Sequence, residues 1–137
     1  MKILVAYDGS EEARNALRWA GQLAGTSGNN TVTVISVVPT LEVTLPIADA
    51  VDPSSDAPKH RAQLAEAKEL LAQIGVEAAT VLKVGNPTEE ILDAADAGSY
   101  EIIVVGNRGF GGARRFLMGS VSDRVVRHSS KPVLVVR

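Results

Sequence analysis

Hydrophobic positions fall along this chain in two alternating rhythms. Short β-branched apolar runs occur at Lys2–Tyr7, Thr31–Val38, Glu77–Val84, Glu101–Val105 and Pro132–Val136, and read as five strands. Between them, apolar residues recur every three or four positions, as on one face of a helix. The first helix is predicted over Ser10–Ala24, with Ala13, Ala16, Leu17, Ala20, Leu23 and Ala24 on its inner side. Ser10 is placed to cap it, and Glu11 and Glu12 favour its first turn. A second helix runs from about Pro58 to Ile74, with Leu64, Ala67, Leu71 and Ile74 inward and Gly75 as its stop. A third begins at Asn86-Pro87-Thr88-Glu89, an N-cap, an N1 proline and an N3 glutamate, and reaches Ala97. The fourth covers about Ser120–His128, where Ser120 and Asp123 have capping-box spacing.

Strand–helix alternation of this kind predicts an α/β domain, an open five-stranded parallel sheet with helices on both faces. Its 137 residues form one domain. In such sheets ligands bind beyond the carboxyl ends of the strands, where the strand order reverses. The first strand ends at Asp8 and the fourth at Gly106, so a shared crevice requires those two strands to pair. Five glycines crowd the stretch 106–119, at positions 106, 109, 111, 112 and 119. Glycines let backbone N–H groups converge on an anion, and a helix N-terminus at Ser120 adds further donors and partial positive charge. The pattern predicts a phosphate cradle; its bland alternative is a flexible connection. Pro39–Lys59, with four prolines and four acids, reads as a long surface excursion, either a lid or a mobile connection.

Charge sharpens the picture. The chain carries a net charge of −2, yet residues 106–137 hold seven bases against one acid. Such a field attracts a polyanion to the glycine stretch. Only five aromatic residues exist, and none interleave with bases, so nucleic acid is not expected. Absence of cysteine excludes thiolate metal sites and disulfides. No apolar run approaches the roughly 18 residues that span a bilayer. The opening Met1–Val5 leads straight into a strand, unlike a signal peptide, so the expected location is cytoplasmic. His60 and His128 lack partners at metal spacing and read as surface or partly buried residues, and Trp19 as a core or interface residue.

Gly106-x2-Gly109-x9-Gly119-Ser120 resembles the nucleotide-binding signature of the universal stress protein family. The likeness extends to the opening Ile3–Ser10, to Val84–Ile91 and to the closing Ser129–Val136. This resemblance implies strand order 3-2-1-4-5, a homodimer joined through Pro132–Val136, and bound ATP, in some members with Mg²⁺ or Mn²⁺. Carried onto this chain, Tyr7 and Asp8 line the nucleoside side, and Val37 meets the adenine through its backbone. Val105 and Gly106 flank the sugar and phosphates, while Gly109, Gly119, Ser120, Val121 and Ser122 hold the phosphates. The bulk of Tyr7 is expected to tighten the pocket. Arg108 is the first choice among Arg108, Arg114 and Arg115 for neutralising the triphosphate.

The leading function is thus an ATP-binding dimeric regulatory module of the stress response, acting on a protein partner that the sequence does not name. A slow ATPase, or an enzyme phosphorylating itself on Ser120 or Ser122, is one alternative. The chain has neither a P-loop nor an evident general base, so no catalytic residue is assigned. A nucleotide-free interaction dimer is the other.

Overall fold

The structure is a computed structural model, described here for residues 1–26, 28–40, 56–107 and 119–137. Among these residues nine elements alternate: β1 (Lys2–Ala6), α1 (Glu11–Ala24), β2 (Thr31–Pro39), α2 (Ala57–Gln73), β3 (Ala78–Gly85), α3 (Pro87–Ala97), β4 (Ile102–Gly106), α4 (Ser120–His128) and β5 (Val133–Val136). The strands form one sheet in the order β3-β2-β1-β4-β5, and all pairings are parallel. β1 pairs β4 with Ile3 level with Ile102 and Val5 with Val104, as the predicted crevice requires.

Central strands of a parallel sheet are covered on both faces and so read as unbroken apolar runs. Seven consecutive residues of β2, Val32–Val38, are buried. Strand alternation sends their side chains to opposite sides. Ile3, Val5, Tyr7 and Val34 pack beneath α1 and α2 with Leu17, Leu64 and Leu71. Leu4, Ala6, Ile35, Val37 and Val105 pack beneath α3 and α4 with Ile91 and Val125. Local signals fix the helix starts. The Ser10 hydroxyl accepts the Ala13 N–H at 3.1 Å, and the Asn86 side chain accepts the Glu89 N–H at 3.1 Å.

Three expectations need correction and a fourth is narrowed. The inner stripe of α2 is His60, Leu64, Ala67 and Leu71, whereas Ile74 lies past the helix end and is 53% exposed. Of the two readings of Trp19, core or interface, its 50% exposure removes the core one. The N-cap of α4 is Gly119, with φ −59° and ψ 153°, and no side chain caps the helix. Ser120 is therefore its first helical residue, and Asp123 pairs with Arg127 instead of completing a capping box. Finally, Ala57–Lys59 belong to α2 and Pro39 to β2, which shortens the excursion between them; Leu41–Ser55 lies outside the described residues.

Candidate functional site

β1 and β4 lie side by side, and Tyr7 and Asn107 follow their carboxyl ends. After β1 the chain turns through Asp8, Gly9 and Ser10 into α1. One Asp8 carboxylate oxygen accepts the Ser10 N–H at 2.9 Å, an Asx turn that fixes the acid at the mouth of the crevice. Gly9 has φ +82°, and a Cβ there would lie 3.0 Å from Gln63 Nε2 of α2, so the turn is tucked against that helix.

Asn107, after β4, and Gly119, before α4, are tied to each other and to β5. Asn107 donates its N–H to the Val136 carbonyl at 2.6 Å, and its own carbonyl accepts the Gly119 N–H at 2.6 Å. Ser122, 2% exposed, donates its hydroxyl to the Gly106 carbonyl at 2.6 Å, tying the first turn of α4 to the end of β4. Arg108, Gly109, Arg114 and Arg115 fall between these anchors, outside the described residues.

In its first turn α4 leaves the N–H groups of Ser120, Val121 and Ser122 without intrahelical partners. They carry the positive end of the helix dipole. The Gly119 N–H is already spent on Asn107, and the Ser122 hydroxyl on Gly106. Of the groups expected to hold phosphates at these two residues, the Ser122 N–H is the donor that these bonds leave open. As a phosphate acceptor, buried Ser122 is likewise unsuited; Ser120 is exposed.

Val37, Val105 and Val121 belong to one buried cluster. Tyr7 does not join them. Its side chain is fully buried on the opposite face, among Ile3, Val5 and Leu64, so only its backbone is left for a ligand and its bulk does not narrow the pocket. Burial, and then the nearby Glu66 carboxylate, push its phenol pKa up. Among the described residues the Tyr7 hydroxyl makes no hydrogen bond of good geometry, although Glu66 and Arg14 lie close by. Tyr7→Phe should therefore leave stability unchanged or raise it by up to about 1 kcal/mol, because an unmet buried hydroxyl is itself a cost. A clear drop in the urea midpoint would mean that the hydroxyl is satisfied in solution.

Sequence reasoning missed one buried polar pair beside the crevice. His60 Nδ1 and Ser36 Oγ lie 2.7 Å apart, joining α2 to the end of β2. The signal was present: His60 precedes Leu64 by four residues and so continues the inner stripe of α2. Burial lowers the His60 pKa below 6.5, with Lys59 adding to the effect and Asp56 and Asp8 opposing it. The unfolded chain then protonates first as pH falls, so stability from this site is full above pH 6.5 and declines below it. Urea unfolding of the wild type and His60→Asn on both sides of that pH should show a shallower acid decline in the variant. Parallel curves would remove His60 from the acid response.

Among the described residues no three His, Asp or Glu side chains converge as a cation cage. None of the described helices is long and apolar enough to cross a membrane.

The geometry has counterparts in known proteins. The universal stress protein YxiE of Bacillus subtilis is 35% identical over 147 residues, which cover 99% of this chain and 98% of that protein. A universal stress protein of Archaeoglobus fulgidus, solved in complex with dAMP, superposes with a TM-score of 0.77 at 28% identity, over 100% of this chain and 98% of that one. A universal stress protein solved in complex with cAMP gives a TM-score of 0.76 at 27% identity, over 100% of this chain and 97% of that one. A family model described as the universal stress protein family matches residues 1–137, and the chain belongs to that family.

Proposed function

We propose that the chain is an ATP-binding, homodimeric regulatory module of the stress response. The observation that carries the reading is the start of α4, where the N–H groups of Ser120, Val121 and Ser122 lack intrahelical partners, together with the pairing of β1, which leads into Asp8, with β4. Adenine nucleotides in two similar proteins support the same ligand class. Beyond a monophosphate, the extra charge of a triphosphate suits the seven bases of residues 106–137. A divalent cation enters with the phosphates and is held by them more than by protein carboxylates.

Nucleotide acts here by adding contacts to the start of α4 and thereby to Gly106 and Asn107, which those hydrogen bonds tie to β5. β5 is a sheet edge, and edges invite a second chain. Asn15 of α1 bonds the Arg137 carbonyl at 3.2 Å, and exposed Trp19 lies one turn further along the same helix. The indole thus flanks the edge where the second copy joins.

The deciding experiment measures nucleotide released from freshly purified, denatured protein, then titrates ATP, AMP and cAMP by calorimetry with Mg²⁺ present. ATP binding tighter than about 100 µM, roughly −5.5 kcal/mol, is expected. No released nucleotide and no heat with any of the three would leave the interaction dimer as the function. Tighter binding of AMP or cAMP than of ATP would move the ligand to a monophosphate.

A further inference from the structure

The sheet has a second edge. β3 is eight residues long, twice the length of β5, and nothing pairs with its outer side among the described residues. The Gly85 carbonyl accepts the Thr40 N–H at 3.2 Å, so the backbone polar groups of Gly85 face β2. Counting back by twos along a parallel ladder, the N–H and C=O groups of Thr80, Leu82 and Val84 face outward. Val84 is 51% exposed, and Ala79, Thr80 and Lys83 are exposed too. The edge contains no proline and one charge, Lys83, which is little protection for a strand of this length.

Beside this edge lies a groove of about 400 Å³, lined by Arg61, Leu64, Ala65 and Lys68 of α2 and by Thr80 and Leu82 of β3. Arg61 and Lys68 are seven residues apart and so share one side of the helix. Neither they nor Lys83 form an ion pair among the described residues. The cations border an edge whose own strand carries no acid, within a part of the chain where acids outnumber bases by fifteen to seven. Pairing of two β3 edges from two copies brings like charges together and is disfavoured.

We propose that the β3 edge takes an extended acidic peptide as an additional strand, its backbone on Thr80, Leu82 and Val84 and its carboxylates against Arg61 and Lys68. Main-chain hydrogen bonds supply affinity in this mode and side chains supply selectivity. A dimer joined through β5 presents two such edges at the far ends of its sheet. The partner is recognised by acidity and extended backbone, and the reading stands whether or not nucleotide binds.

A fluorescent peptide of alternating glutamate and threonine, as long as β3, tests this by anisotropy on the full chain. Controls are a lysine–threonine peptide and an acidic peptide interrupted by proline. The acidic peptide should bind saturably and about tenfold tighter than either control. Binding should be lost in Arg61→Glu/Lys68→Glu, both exposed positions, and the bound peptide should slow amide exchange at Thr80, Leu82 and Val84. Thr80→Pro removes one outward N–H, is tolerated on an edge, and should abolish binding while the thermal transition stays intact. Absence of saturable binding, equal binding of the proline-interrupted peptide, or protection confined to β5 would overturn the proposal. So would undiminished binding to Thr80→Pro.

Discussion

Gly106→Ala is expected to destabilise the protein by about 1–3 kcal/mol, toward the upper end of that range. A Cβ built on Gly106 would lie 2.8 Å from the Glu12 carbonyl carbon and 2.9 Å from the Ala13 nitrogen. Both are backbone atoms in the first turn of α1, so no rotamer change relieves the overlap. Either β4 recedes from α1, which strains its pairing with β1, or the α1 start moves with its Ser10 cap. Gly106 does not need a left-handed φ, so the whole cost is steric. Where space allows, alanine in place of glycine stabilises by restricting the unfolded chain, which makes the sign of the effect diagnostic. The measurement is the urea midpoint at constant m-value. A midpoint at or above that of the wild type would show that β4 and α1 are not in this contact. Gly106 is thus a packing residue as well as a flank of the crevice. Its place in the glycine pattern does not by itself argue for a phosphate.

Much of this was written in local signals. The pairing of β1 with β4 was required by a crevice between Asp8 and Gly106, and the register places those strands side by side. Caps at Ser10 and Asn86 were legible because each needs only a side-chain oxygen and an N–H three residues on. What stayed hidden depends on neighbours distant in sequence. Tyr7 shares the parity of Ile3 and Val5, but a strand covered on both faces gives no hint of which side faces which helices. His60 was read as a lone polar residue because its partner, Ser36, is 24 positions away. Ile74 was read inward from apolarity alone, though it follows a helix end, and for Trp19 apolarity left core and interface undivided until its exposure removed the core reading. At α4 the Ser120–Asp123 spacing suited a capping box. The Gly119 carbonyl nevertheless accepts the Asp123 N–H, and that shifts the cap by one residue. This one-residue shift matters chemically, since it turns Ser120 from a cap into the first of the N–H donors.

Ser120→Pro should separate the phosphate cradle from the fold that carries it. Proline at the first helical position is well accommodated, because the N–H it lacks has no intrahelical partner. The preceding Gly119 already sits at φ −59° and ψ 153°, the extended conformation that a following proline demands. The thermal transition should therefore stay where it is or rise slightly. A nucleotide phosphate, by contrast, loses one charge-assisted hydrogen bond, worth about 1.5–3 kcal/mol. ATP affinity should fall by about tenfold or more in the calorimeter. Ser120→Ala supplies the control: it keeps the N–H and removes only the hydroxyl, so it should bind ATP nearly as the wild type does. A loss in both variants would assign the contact to the Ser120 hydroxyl. Undiminished ATP binding to Ser120→Pro would place the phosphates elsewhere than the start of α4, and the proposed function would lose the observation that carries it.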